Sequence, residues 1–524
     1  MMIDDKAVFT HDRQFWSALK LQGFLAGLLF CLSFAGACTS VPFETSRPDD
    51  KALPPFPPVV NRFQTTFEVD LASNEVVLAP LGDGNDALGA RLRMIEQAKR
   101  SIDIKTFLIK PDMAGALIWL ALYNAAERGV RIRLLYDDVF TSASDAQIAT
   151  LDAHTNVEIR TFNPLSRNST RAVNFLLDFK RVNRRMHNKA FLVDGAAAII
   201  GGRNIANEYF QIETKAEFAD FDVFMAGVSV KHLSDAFDIY WNDEWSVPIE
   251  RFTTGDAEAL SEASQALRET ANTPEAQIFE RAVKSTYLSD LRTGRSPFFR
   301  GTARVVVDQP EKLRKPPGIG PFNVGNAFYN TLLRAERDVL VITPYFVPEA
   351  YGAEVFEALA ARGVHVRIVT NSLASTNHAY VYGGYAKYRN RLLKSGIEVF
   401  EVRSDAPSIL EGVDTPIVLH SKLAIVDGQT LFVSSTNIDP RSIRQNSEIA
   451  TIIESPDLAQ EIVFRFNAEI GDYVFQVLEG PDSNLVWQYN SQKIQQKFRS
   501  APNASVLKKL VAALAGWLPI EQQF

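Results

Sequence analysis

From Val76 onward the chain alternates short apolar runs with amphipathic stretches. Ser101–Phe107, Gly129–Leu135 and Val157–Phe162 read as strands, while Asp86–Arg100 and Ala114–Arg128 carry helical periodicity. The second half repeats this order. Val339–Ile342 reads as a strand, Val355–Arg362 as a helix, and Gly363–Val369 and Gly396–Phe400 as strands again. Regular alternation of this kind predicts an α/β protein. The expected architecture is two duplicated domains, each a mixed, mostly parallel sheet flanked by helices. They would pack about a pseudo-twofold with the active site between them. The pattern places the domains at 76–252 and 301–500, joined by a polar helical connection over 253–300.

Inside this duplication lies a shorter one. His187, Lys189, Asp194 and Asn204 recur as His420, Lys422, Asp427 and Asn437 at the same internal spacing, 233 residues later. Each His-x-Lys opens a strand (Ala190–Val193 and Leu423–Val426), so His and Lys project from the same face. The Asp-Gly steps at Asp194 and Asp427 read as tight turns into a second strand. That strand ends on small residues, Gly201-Gly202 and Ser434-Ser435, which let a ligand approach the backbone. His, Lys and Asn together suit a phosphate. The ammonium supplies charge, the amide supplies hydrogen bonds, and imidazole serves as nucleophile or acid near neutral pH. Two facing sets provide what a two-step phosphodiester exchange requires, with no metal and no cofactor. Lys189, Asn204, Lys422 and Asn437 are the candidate phosphate-binding residues. A carboxylate near the start of the next strand can orient each imidazole. Glu448 fits the second copy, and Asp222 is the choice in the first, with Asp220 as rival. Asp194 and Asp427 read as structural members of the signature.

These paired signatures resemble the phospholipase D superfamily, and its bacterial cardiolipin-synthase branch in particular. The stretches that carry the likeness are Arg185–Lys189, Gly201–Ile205, Pro344–Pro348, Asn437–Ser442 and Trp517–Glu521. The similarity runs from about Val76 to the C-terminus, with Ser434 standing where the family usually has Gly. The resemblance implies a phosphatidyltransferase that joins phosphatidylglycerol to a second phosphatidylglycerol or to phosphatidylethanolamine through a phosphohistidine. Hydrolysis to phosphatidic acid is the alternative, and a nuclease of the same superfamily a further one. His187 is the candidate nucleophile and His420 the candidate acid and base, an assignment that near-symmetry allows to be reversed. The catalytic set is thus His187, Lys189, Asp194, Asp222, His420, Lys422, Asp427 and Glu448.

Bulk properties fit this reading. With 524 residues, 46% hydrophobic and 22% charged, the chain is a globular protein of two domains. A net charge of −7 argues against a general nucleic-acid binder. Both cysteines precede residue 40, so no disulfide framework is expected. Leu21–Ala37 is apolar and short, and it ends at Ala35-Gly36-Ala37-Cys38, resembling a lipoprotein cleavage box with Cys38 as the lipidated residue. An uncleaved signal anchor is the other reading. The expected organisation is a signal over 1–38 and a Pro-rich tether over 39–75. The expected location is the periplasmic face of a bacterial membrane. The partners are phospholipid substrates and the membrane surface, and a partner protein is compatible with the sequence. Arg171, Lys180, Arg181, Arg184 and Arg185 form a basic run before His187 that can draw in an anionic headgroup. Tyr345, Phe346, Tyr380, Tyr382, Tyr385 and Tyr388 are candidates to line the entrance. Residues 501–524 hold an amphipathic helix, with Val506, Leu507, Leu510, Val511, Leu514, Trp517 and Leu518 on one face.

Overall fold

The first strand of the α/β region, Glu75–Leu81, pairs antiparallel with Phe299–Val307, the first strand of the second half. This computed structural model describes residues 41–44, 49–53, 74–212, 216–270, 273, 279–406, 415–480, 484–490, 495–518 and 521–523. The candidate signal segment and Cys38 lie outside the described residues.

The central pair fuses the two halves into one 18-stranded sheet. Outward from Glu75–Leu81 run Asp222–Gly227, Ala197–Gly201, Ala190–Val193, Ser101–Thr106, Arg131–Asp137, Val157–Phe162 and the edge strand Ser246–Pro248. Outward from Phe299–Val307 the same order recurs: Ile449–Glu454, Thr430–Ser434, Leu423–Val426, Asp338–Ile342, His365–Asn371, Glu398–Val402 and Val474–Glu479. A further antiparallel pair, Leu485–Asn490 and Gln495–Phe498, extends the second half and has no counterpart among the described residues of the first.

The sheet is mixed, as expected, but parallel pairing is confined to three strands in each half. Helices Met113–Glu127 and Asp145–Asp152 make those crossovers in the first half, and Glu349–Ala361 and Ala379–Lys394 in the second. The motif strands pair antiparallel because each is joined to the next by a three-residue turn, 194–196 and 427–429, which reverses the chain. Asp194 and Asp427 sit in these turns with φ of 55° each, in the left-handed region that Asp tolerates.

Apolar packing follows the same plan. One core lies within each half, and a third spans both, joining Val76, Leu192 and Trp241 to Leu340, Leu423 and Leu458. The connection contains the helices Ala257–Thr270, Glu280–Val283 and Tyr287–Thr293. Most of the Pro-rich stretch, expected as a tether, lies outside the described residues, and the described parts of it contact the first half. Phe43 stacks on Trp245, and Asp50 pairs with Arg131 at 3.0 Å and Arg133 at 3.4 Å. Buried Arg133 needs carboxylates, and Asp50 joins Asp103 and Asp238 in supplying them.

Candidate active site

A second, two-stranded sheet brings the motifs together. Glu217–Ala219 of the first half pairs parallel with Ile417–Leu419 of the second. The amides of His420 and Ser421 both donate to the Ala219 carbonyl, at 2.8 and 3.1 Å. On the other side Met186 bridges Ser447, and the His187 amide donates to the Ser447 carbonyl at 2.9 Å. Each histidine is therefore laid beside the acidic segment of the opposite half.

The carboxylates cross over accordingly. Asp220 Oδ2 lies 2.6 Å from His420 Nδ1, and both Glu448 oxygens lie 3.0 Å from His187 Nδ1. A carboxylate on Nδ1 fixes the proton there and leaves Nε2 as the reactive nitrogen. The surroundings hold the rings further. Phe107 meets His187 edge-on at 4.7 Å, Phe218 stacks on His420 at 5.1 Å, and Tyr209 meets His420 edge-on at 5.1 Å.

The lysines close the set. Lys189 Nζ donates to the His187 carbonyl at 2.7 Å, and Lys422 Nζ to the His420 carbonyl at 2.5 Å. Asn204 and Asn437 are buried, and each keeps its Oδ1 without a hydrogen-bond partner among the described residues. The unpaired Oδ1 atoms are acceptors, so the polar ligand that completes the hydrogen bonding here brings a donor, as a hydroxyl does.

Electrostatics agree. Burial, followed by the Lys189 and Lys422 charges, pushes the His187 imidazole well below its usual range. Burial and Lys422 push His420 down to about 3, although Asp220 acts to raise it. Burial also lowers Lys189 to about 7 and Lys422 to about 8. It raises Glu448 to about 7, against the pull of Lys189 and the Ser435 hydroxyl. At Asp220 burial acts upward, but His420, Lys422 and Arg203 outweigh it and hold the carboxyl below its ordinary value. Two buried ammonium groups thus lose solvation here, and a bound phosphate anion would stabilise their charged forms.

Asp222, expected beside a histidine, is not there. It pairs with Arg91 at 2.8 Å and Arg203 at 3.4 Å, fully buried beneath the motif. Sheet register shows why. Gly201 faces Asp222 and Ser434 faces Ala450, so Asp222 corresponds to Ala450 and Asp220 to Glu448. The small residues serve these carboxylates. A Cβ at Gly202 would lie 2.2 Å from Asp220 Oδ1, whereas Ser435, at the equivalent position, donates its hydroxyl to Glu448.

Asp194 and Asp427 lie at the far ends of their strands, away from the imidazoles. Asp194 accepts from the amides of Lys99, Arg100 and Ser101, and Asp427 from those of Glu336, Arg337 and Asp338. They staple each hairpin to the helix–strand junction beside it.

Several other expected residues have different surroundings. Tyr382 and Tyr385 donate to buried Glu401, together with Arg389 and Trp487, and Phe346 is core. Tyr388 donates to Glu521 at 2.5 Å. Tyr380 remains 40% exposed, and Tyr345 donates to Asn377 at 2.6 Å. In the basic run, Arg185 pairs with Asp137 and Arg181 with Asp178. The sequence reading missed Phe107, Tyr209 and Phe218. Tyr209 and Phe218 have only proximity in the chain to Asn204 and the acidic segment as a signal, and Phe107, 80 residues before His187, has none.

The comparisons place this geometry in a family. The family model described as "Cardiolipin synthase, PLD-like domain" matches residues 92–241 and 328–470. Cardiolipin synthase C of Escherichia coli is 32% identical over 454 residues, covering 85% of this chain and 95% of that protein. The major cardiolipin synthase of Bacillus subtilis is 23% identical over 389 residues, covering 74% of this chain and 67% of that protein. Among solved structures, phosphatidylserine synthase of Haemophilus influenzae shares the fold, with a TM-score of 0.54 at 14% identity, covering 88% of this chain and all of that one. The chain therefore belongs to the cardiolipin synthase, phospholipase D-like family.

Proposed function

We propose that the protein is a phosphatidyltransferase that makes cardiolipin from phosphatidylglycerol and a second phosphatidylglycerol or phosphatidylethanolamine. The observation that carries this reading is the reciprocal pairing of His187 with Glu448 and His420 with Asp220. It presents two Nε2 atoms, two ammonium groups and two orphaned amides to one buried site.

In the first step His187 Nε2 attacks the donor phosphorus, and the bond to the headgroup oxygen breaks. His420 gives its proton to the departing oxygen. In the second step the acceptor hydroxyl loses its proton to His420, its oxygen bonds to phosphorus, and the His187–phosphorus bond breaks. Lys189, Lys422, Asn204 and Asn437 hold the charge on the non-bridging oxygens. The free imidazoles are neutral because burial, and after it the lysine charges, depress them. A phosphodiester anion offsets the lysine charges and raises His420 toward the protonated form the first step needs.

The substrate is a lipid, and the C-terminal helix Val506–Trp517 suits a lipid surface. Its small residues Ala512 and Ala515 face the helix Ala379–Lys394, where a Cβ at Gly383 would lie 2.3 Å from the Ala512 carbonyl oxygen. Its large residues point away, with Val506 84%, Leu507 69% and Trp517 89% exposed. The helix carries two lysines and no acid. Among the described residues no helix is long and apolar enough to cross a membrane; the exposed apolar face of this one supports a surface contact.

The test is lipid mass spectrometry on purified protein in mixed micelles with phosphatidylglycerol, with and without phosphatidylethanolamine. Cardiolipin formed by the wild type and absent with His187→Ala supports the proposal. Phosphatidic acid alone replaces transfer with hydrolysis, and no lipid product from either mixture overturns the reading.

A further inference from the structure

Beside the site lies a cavity of about 280 Å³, lined by Phe179, Lys180, Asn183, Arg184, Lys315 and Gln445 among others. Its central cation is Arg184, only 6% exposed. Arg184 Nη1 donates to the Lys315 carbonyl at 2.8 Å, and no carboxylate pairs with this guanidinium among the described residues. Its neighbours differ. Arg181, Arg185 and Arg314 have Asp178, Asp137 and Asp243. A buried guanidinium without a counter-ion is costly unless an anion completes it. Burial alone lowers its pKa, and no nearby acid acts against this. Lys180 and Lys315 are exposed at the same cavity and add two further positive charges.

The position ties this cavity to the chemistry. Arg184 is three residues before His187, and Gln445 is three residues before Glu448, the carboxylate on His187. Three residues of extended chain span at most about 10 Å. Asn183 Nδ2 donates to Gln445 Oε1 at 2.8 Å, so the two lead-in segments meet at this wall.

We propose that this cavity binds the phosphate of the acceptor lipid, holding a second phosphodiester anion while the acceptor's headgroup hydroxyl attacks phosphorus at His187. This rests on the phosphatidyl-transfer reading above. That reaction joins two phosphates through one short headgroup bridge, so it needs a second anion site close to the first. The planar fork of Arg184 can engage two phosphate oxygens, with Lys180 and Lys315 as point charges. The acceptor phosphate is unchanged in the step, so Arg184 positions the acceptor without taking part in bond exchange. The cavity thereby favours an acceptor that carries both a hydroxyl and a phosphodiester over a neutral alcohol.

The experiment compares two acceptors in micelles, phosphatidylglycerol and free glycerol, each labelled in its glycerol, so that transfer appears as labelled cardiolipin or as labelled phosphatidylglycerol. The variants are Arg184→Gln and the exposed double change Lys180→Gln/Lys315→Gln, which is insensitive to folding defects at the buried arginine. The expected result is a rise of about tenfold or more in KM for phosphatidylglycerol as acceptor, from loss of charge-assisted phosphate contacts. Transfer to glycerol stays unchanged. An equal loss with both acceptors, or no loss with either, overturns the subsite. A change in glycerol transfer on adding inorganic phosphate, abolished by Arg184→Gln, assigns the cavity to the free ion and overturns the lipid-acceptor proposal. No transfer to either acceptor by the wild type overturns the phosphatidyl-transfer reading itself, and the subsite with it.

Discussion

Asp220, on the first half of the chain, lies 2.6 Å from His420 on the second. The duplication therefore does not make two self-contained half-sites. Each imidazole takes its orienting carboxylate from the other half, and neither half alone holds a complete His–carboxylate pair. Asp220→Asn is expected to lower kcat by roughly 10³- to 10⁴-fold, the scale for losing a histidine-orienting carboxylate, with little change in KM or melting temperature. Steady-state kinetics beside thermal unfolding checks this.

Asp222 is expected to behave in the opposite way. Asp222→Asn removes the counter-charge of buried Arg91 and Arg203. Breaking a buried pair from one side costs about 3–5 kcal/mol. Denaturant unfolding should show that loss, and activity per folded molecule should fall far less than in Asp220→Asn. A mutant with intact stability and lost turnover contradicts this placement.

Asp194 and Asp427 separate by burial. Both accept three backbone amides, but Asp194 is 6% exposed and its counterpart is only half-buried. Asp194→Ala is expected to cost about 2–4 kcal/mol, from buried amides left without acceptors, and Asp427→Ala roughly half of that. Chemical denaturation of the two variants, side by side, measures the difference.

Glu448 makes stability depend on pH. Its folded pKa is raised by burial from 4.5 to about 7. Its contribution is fully present below the unfolded value and is lost as pH rises through the folded one, on the order of 3 kcal/mol in total. Glu448→Gln should therefore flatten the fall in stability between about pH 4.5 and 7. Melting curves of wild type and variant across that range test it, and parallel curves contradict it.

The motif hairpins and the repeated order of elements were legible in the sequence because they rest on local periodicity and on identical spacing. The crossing of Asp220 to His420 was not. Acids stand at both 220 and 222, one strand period apart. The segment from Asn204 to Asp220 is also five residues longer than that from Asn437 to Glu448. Only the register of Gly201 with Asp222 resolves the ambiguity. The fusion of two sheets through Glu75–Leu81 and Phe299–Val307 is likewise a long-range pairing that no local pattern encodes. The buried surroundings of Tyr382 and Tyr385 were hidden for a similar reason. Glu401, far from Tyr382 in sequence terms, reads as an ordinary strand charge until Arg389 and Trp487 are seen to surround it.

The exposed face of the C-terminal helix gives a further prediction. Leu507→Glu/Leu510→Glu removes two apolar side chains worth about 1.5–3 kcal/mol each on burial, so co-sedimentation with anionic phospholipid vesicles should fall at least tenfold. Both residues point away from Gly383, so the melting temperature should hold.

The most direct measurement is to trap the covalent intermediate. Phosphatidylglycerol labelled in its phosphatidyl group is mixed with the enzyme, quenched, and the peptides analysed by mass spectrometry. The account predicts label on His187, absent in His187→Ala. Label on His420 alone would reverse the assignment of nucleophile, and turnover with no labelled histidine would contradict the phosphohistidine mechanism.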